Sequence, residues 1–345
     1  MDLTPGSEQI EIIESSAAFL RARLPITRTR QLLDADSNVD VEVWAAAAEL
    51  GWFALGLPEA FGGIGCGLVD EALLFREIGR SLATGPYLSS VLAARVAAFG
   101  GDPDLAAAVV DGSQRVGLAI ALSPELIGSN GLIAGDLQIL DIDIVDNGSV
   151  LIATASAAAL VSVSSLDDVA SVACIDPGIR MQRARANGVS PLALVTADID
   201  PIERRGQVLT AAMLTGITEA VRDIAAAHAT SRVQFDKPIG VNQAIKHPCA
   251  EMAVAAQLAY AQLLFAALAT DEQRHDADLN ALSALLVASE AAEHATAATI
   301  QILGGMGFTF EHDANLYAKR AFVLAHLFGA TSEKLTRLLD LPAAV

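Results

Sequence analysis

Apolar residues recur at helical spacing from the start of the chain. Ile10, Ile13, Phe19 and Leu20 share one face of the run Ser7–Arg23. A second helical run covers Val41 to Leu50 and leads into Gly51-Trp52-Phe53. The stretch Phe61-Gly62-Gly63-Ile64-Gly65-Cys66-Gly67 holds too many glycines for a helix and reads as a loop, after which helical periodicity resumes over Val69 to Leu82. From about residue 116 the period changes to two. Leu137, Ile139, Leu140, Ile142 and Ile144 are interleaved with Gln138, Asp141 and Asp143, which predicts a half-buried strand. Asp146-Asn147-Gly148 reads as a hairpin turn before Val150-Leu151-Ile152. Val161 to Val163, Ala170 to Ile175 and Leu192 to Ala197 are further predicted strands. Long alanine-rich helices then cover Gln207 to Ser231, Gln243 to Thr270, Ala277 to Leu303 and Asp313 to His326, whose small side chains suit tight antiparallel packing. The pattern divides the chain into an N-terminal helical domain over 1–115, a shortened middle β domain over 116–202 and a C-terminal helical bundle over 203–345.

Composition narrows the function. The 345 residues carry 22 Lys+Arg against 41 Asp+Glu, a formal net charge of −19, and 53% are hydrophobic. That apolar fraction excludes a disordered chain. The acidic balance excludes a nucleic-acid binder or an anionic-membrane binder, which needs clustered Lys/Arg. The mean hydropathy of +0.44 rests largely on alanine, and no membrane-spanning segment dominated by large apolar side chains is expected. The N-terminus, MDLTPGSEQIEIIESS, lacks a basic segment followed by an apolar core, so no signal peptide is expected. Cys66, Cys174 and Cys249 are far apart and odd in number, which suits a reduced cytoplasmic protein without a disulfide framework or zinc site.

Common catalytic motifs are missing. Gly63-x-Gly65-x-Gly67 lacks the spaced third glycine and the strand-to-helix context of a dinucleotide fingerprint. There is no phosphate loop and no nucleophile elbow. The six histidines have no ligand spacing with one another or with cysteine. Asp141, Asp143 and Asp146 do not reproduce a calcium loop, because Val145 breaks the spacing, and a solvated strand face is the better reading.

One small basic spot stands out in this acidic chain. Arg232 and Lys237 lie at a helix end beside a Gly/Pro turn, within Arg232-Val233-Gln234-Phe235-Asp236-Lys237-Pro238-Ile239-Gly240-Val241-Asn242-Gln243-Ala244-Ile245-Lys246-His247. A guanidinium there can hold a pyrophosphate through two parallel hydrogen bonds. Downstream, Gln301 precedes Gly304-Gly305, an amide beside an uncrowded backbone that a flat adenine or a diphosphate can approach. The first segment resembles the R-x-Q-F-G-K-P-I-x-x-x-Q-x-[IV]-x-H signature of the acyl-CoA dehydrogenase family. Gln301-Ile302-Leu303-Gly304-Gly305-Met306-Gly307-Phe308-Thr309-Phe310-Glu311 is similar to the family's Q-x-x-G-G-x-G-[FY]-x-x-E. Leu57-Pro58-Glu59-Ala60-Phe61-Gly62-Gly63-Ile64-Gly65, with Glu77-Ile78-Gly79-Arg80 after it, supplies a third match. The resemblance implies the fold of that family: mainly α, with an N-terminal helical domain, a β-barrel-like middle domain and a C-terminal four-helix bundle. It implies FAD as cofactor. It further implies that Arg232, Gln234, Phe235, Asn242, Gln243, Gln301, Gly304 and Gly305 reach the ADP half of FAD held by a neighbouring subunit.

The chain departs from the family where the chemistry happens. The family dehydrogenates an acyl-CoA thioester, with a glutamate removing the α-proton while hydride passes to the flavin. At the first family position for that base this chain has Phe328, or Gly329 when Thr331-Ser332-Glu333 is aligned with the family's T-S-E. At the second it has Gly206, followed by Gln207 in place of the usual arginine. Glu203 lies about one turn upstream and is the candidate for a displaced base, while Glu219 suits a structural role in mid-helix. Leu122-Ser123-Pro124-Glu125-Leu126-Ile127-Gly128-Ser129-Asn130 is a degraded version of the flavin-ring loop, and no tryptophan follows it. What the chain would give to a neighbour's FAD is kept, and what it needs for its own is lost. The resemblance therefore implies a subunit of a heterotetrameric (α2β2) acyl-CoA dehydrogenase of the kind that degrades steroid side chains in bacteria, with no catalytic residue of its own. Its partners would be a homologous catalytic subunit holding the acyl-CoA and an electron-transfer acceptor. The alternatives are a self-sufficient homo-oligomer using Glu203 and a flavin-free scaffold.

Overall fold

The computed structural model describes residues 3–122, 126–141 and 148–342. Among them, helices α1 (Ser7–Arg23), α2 (Ile26–Leu33), α3 (Val41–Glu49), α4 (Leu68–Arg80), α5 (Tyr87–Phe99) and α6 (Pro103–Val110) come first. Strands β1 (Val116–Ala121), β2 (Ile133–Leu140), β3 (Ser149–Ala153), β4 (Ala157–Ser162), β5 (Asp167–Val172), β6 (Met181–Val189) and β7 (Ala193–Thr196) follow. The chain then returns to helix: α7 (Ile202–Ser231), α8 (Gln243–Asp271), α9 (Ala277–Leu303), α10 (Ala314–Ala325) and α11 (Thr331–Asp340). A two-stranded ribbon of β8 (Val233–Gln234) and β9 (Lys237–Pro238) separates α7 from α8. The contacts group into two compact units, one of 1–28, 72–83 and 207–345, the other of 29–71 and 84–206.

The second unit is built on one sheet of order β5-β6-β2-β1-β3-β4-β7. The strand expected over Leu137 to Ile144 begins earlier, at Ile133, and ends at Leu140, because Asp141 turns into a left-handed backbone with φ 55. Asp141 there accepts a hydrogen bond from Asn38 Nδ2 at 2.7 Å. Ile142, Asp143, Ile144, Asp146 and Asn147 lie outside the described residues. The hairpin expected between β2 and β3 is not formed. β1 lies between them, antiparallel to β2 and parallel to β3, so β2 and β3 are not neighbours in the sheet. β5 stops at Val172, short of Ile175, and β6 had no counterpart among the expected strands. Ile133, Leu137 and Ile139 pack with Val150, Ile152, Ala159, Val161, Ala184 and Ala186 in the core of this sheet. Two ion pairs brace the unit: Arg95 Nε with Asp200 at 2.6 Å, and Arg205 with Glu71, all four residues buried.

The first unit is a helical bundle. Here α9 has the predicted bounds, α8 runs one residue longer, and α7 starts five residues before the expected Gln207. α8 is long and apolar enough to cross a membrane by length and composition alone. Its Met252, Ala256, Ala259 and Leu263 are buried, and it packs on α9. α4 and α7 cross in close contact. A Cβ on Gly216 would lie 1.9 Å from Arg76 O, and one on Gly79 would lie 2.1 Å from Met213 O. Only hydrogen in place of a side chain lets these two backbones touch. Arg76 clamps Glu219 across the crossing with Nε at 2.8 Å and Nη2 at 3.0 Å, and Arg80 adds a third contact at 3.3 Å. Glu219 is thereby the paired, structural acid expected of its mid-helix position.

Candidate functional site

Three helices converge at one end of the bundle. Thr299 Oγ1 donates to Val221 O at 3.0 Å and lies 3.6 Å from Met252 Sδ, which places α7, α8 and α9 side by side. From that layer α7 runs forward to Ser231, α8 runs back to Gln243, and α9 runs forward to Leu303. The basic spot, the start of α8 and the Gly304-Gly305 step therefore share one end. His228 registers the same convergence. Its pKa is lowered by burial first, then by the guanidinium of Arg232 and by His312.

The ribbon is shaped by its turn. Val233 pairs with Pro238 and Gln234 with Lys237, so Phe235 and Asp236 form a two-residue loop. Their φ values of 50 and 62 are the left-handed pair of a type I′ turn, which matches the twist of a hairpin. Aspartate tolerates that backbone through its short polar side chain, whereas phenylalanine does so at a cost. The Phe235 ring is 95% exposed at the tip. Ile239 N donates to Arg232 O at 2.9 Å and closes the base of the ribbon, and Asn242 Nδ2 donates to Ile239 O at 3.1 Å.

Of the residues singled out from the sequence, Arg232, Gln234, Phe235, Asn242, Gln243, Gln301 and Gly305 are all exposed and Gly304 is half-buried. Among the described residues Gln234 Nε2 donates only to the adjacent Val233 O at 2.9 Å. The side chains of Arg232, Gln243 and Gln301 have no hydrogen-bond partner among the described residues. Gly304 ends α9 with φ 63 and ψ −137, a conformation confined to glycine, and a Cβ on Gly304 or Gly305 would meet nothing within 4 Å. The surface thus offers a free guanidinium, free amides, an aromatic face and bare backbone. Those groups fit the diphosphate and flat base of a nucleotide presented from outside the chain. The ribbon itself was not expected from the sequence, although Phe235-Asp236 between short polar-apolar pairs is the trace of its turn.

The positions aligned with a base are unlike this surface. Phe328 is half-buried with φ 60, and Gly329 follows with φ 108. Gly206 is buried within α7, with Gln207 3% exposed after it. Glu203 does lie in the first turn of α7, because the helix begins early, and it is only 7% exposed. Within the degraded flavin loop, Ser123, Pro124 and Glu125 lie outside the described residues. Ile127 bridges Ile133, and Asn130 Oδ1 accepts from Leu132 N at 3.1 Å to close a tight turn. No metal-binding group of His, Cys, Asp and Glu occurs among the described residues.

Comparison with known proteins decides the family. Residues 204–338 match the acyl-CoA dehydrogenase C-terminal domain and residues 6–107 the acyl-CoA dehydrogenase N-terminal domain. The chain is 32% identical over 339 residues to acyl-CoA dehydrogenase IpdE2 of Mycobacterium tuberculosis, covering 97% of this chain and 98% of that protein. This chain belongs to the acyl-CoA dehydrogenase family. Its fold is the family's, with helical N- and C-terminal parts around a central β-sheet. Among solved structures, a chain of the ChsE4-ChsE5 complex from Mycobacterium tuberculosis matches with a TM-score of 0.86 at 23% identity, covering 99% of this chain and 100% of that one. A steroid acyl-CoA dehydrogenase variant, Tcur3481-Tcur3483, matches with a TM-score of 0.84 at 23% identity, covering 98% of each chain.

Proposed function

We propose that this chain is the non-catalytic subunit of a heteromeric FAD-dependent acyl-CoA dehydrogenase and completes the FAD site of a homologous partner. The observation that carries the reading is the contrast between two sets of positions. Arg232, Gln243 and Gln301 stand exposed and unpartnered at one end of the bundle beside Gly304 and Gly305. The two base positions hold Phe328-Gly329 and Gly206, none of which can take a proton. FAD, when bound, accepts the hydride from the β-carbon of the thioester. This chain's part is to bind and orient. Arg232 offers two parallel N–H donors to the diphosphate, Gln301 and Gln243 donate amide hydrogens, and the open backbone at Gly304-Gly305 lets an adenine approach. The α-proton is removed by a carboxylate of the partner, which also holds the acyl-CoA. The resemblance to heteromeric assemblies supports a homologous partner, and a steroid side-chain thioester is the substrate class we assign.

Expression alone and with a homologous chain tests the reading. The expected result is a colourless chain alone and a yellow, active complex together. A yellow, active homo-oligomer of this chain would overturn it, and a stable complex with no flavin would point to a scaffold.

A further inference from the structure

Two imidazoles accompany Arg232 at the free end of the bundle. His228 precedes it by one turn of α7, with Arg232 N donating to His228 O at 2.9 Å, so the two side chains leave the helix on one face. The His228 ring is half-buried, and neither of its nitrogens has a hydrogen-bond partner among the described residues. The charged and titratable groups acting on it are Arg232 on its own helix and His312 from the segment before α10. Neither is an acid.

His312 is fixed in another way. Its Nδ1 accepts from Ala314 N at 3.1 Å at the start of α10, which requires the ring proton to sit on Nε2. A second proton on Nδ1 would break that contact and set a positive charge against the positive end of the helix dipole. His312 stays neutral while the contact holds. Of the two rings, His228 is the one left to titrate.

We propose that His228 takes up a proton from solvent when the diphosphate of the partner-held nucleotide docks beside Arg232, so that FAD binding tightens as pH falls. The proposal rests on the shared FAD site described above and adds to it a binding residue and a pH dependence. Its physical basis is charge balance. The groups acting on His228 supply no counter-charge, and a diphosphate beside Arg232 brings one. Without nucleotide, burial and then the Arg232 guanidinium hold the His228 value below the ordinary 6.5. With the anion in place the value rises. The loaded site then carries more protons than the empty one between the two values, so affinity is lost as pH rises through that window.

Calorimetry of FAD binding to the flavin-stripped complex of this chain with its homologous partner tests this. Affinity should rise roughly tenfold from about pH 8 to about pH 6. Near neutral pH, the binding heat should differ between buffers of different ionisation enthalpy, as proton uptake requires. His228→Gln should lose both the slope and the buffer dependence. His228→Lys, charged throughout, should bind FAD tightly at both pH values. Arg232→Ala should weaken binding at either pH. An equal slope in wild type and His228→Gln, with binding still dependent on Arg232, overturns this proposal and leaves the shared site standing. Binding that is indifferent to Arg232→Ala removes the shared site, and this proposal with it.

Discussion

The α4–α7 crossing and the free end of the same bundle use arginine in opposite ways. At the crossing, Arg76 is spent on Glu219 through two hydrogen bonds of 2.8 and 3.0 Å and lies over the Tyr260 ring at 5.0 Å. Tyr317 Oη donates to Arg80 O at 2.8 Å and Arg320 Nη1 to Ala83 O at 3.0 Å, so the end of α4 is also tied to α10. At the free end, Arg232 has a comparable charge and no partner among the described residues. A guanidinium locked between helices holds a fold, whereas one left open on a turn is available to a ligand. The crossing is closed even to a methyl group, while the Gly304-Gly305 step opens onto empty space. Glycine at the one is a packing requirement and at the other leaves bare backbone uncovered.

Substitutions should separate the two regions by size of effect. Gly216→Ala drives a methyl into the Arg76 carbonyl and should cost about 3 kcal/mol by chemical denaturation. A loss well under 1 kcal/mol would mean that the crossing relaxes easily. Arg76→Ala leaves Glu219 with Arg80 alone and should cost about 2 kcal/mol. Glu77→Gln reaches the same cluster through its titration. Burial holds the Glu77 carboxyl above its ordinary range despite Arg76 and Arg80. A raised carboxyl favours folding while protonated and loses that advantage as pH rises through its folded value. The amide should therefore stabilise at pH 7 and add nothing near pH 4, read as the shift in denaturation midpoint. Arg232→Ala, at the open end, should change stability by less than about 0.5 kcal/mol. A large destabilisation there would erase the distinction.

The sequence showed the bundle more clearly than the sheet, for a physical reason. Ala277–Leu303 keeps its apolar period for 27 residues, and its predicted bounds are those of α9. β6 was missed because its buried positions are Gln182, Ala184 and Ala186, one polar and two too small to register as an apolar stripe between Arg183, Arg185 and Asn187. The β2–β3 hairpin was misread because a turn-like tripeptide reports local bending, not which strand lies alongside. α11 escaped because Leu335 and Leu339 face outward, Leu338 is only half-buried and the fully buried residue is a lysine. Arg232, Gln301 and the paired glycines were legible because they form dense local motifs. Their common location was not, since it depends on how 221, 252 and 299 meet in space.

The flavin content of the co-expressed complex carrying Arg232→Ala in this chain tests the central claim most directly. With the complex intact by size and mass, FAD should bind roughly tenfold or more weakly, because a guanidinium–diphosphate contact within the partner's site is lost. Unchanged FAD occupancy in an intact complex would contradict it.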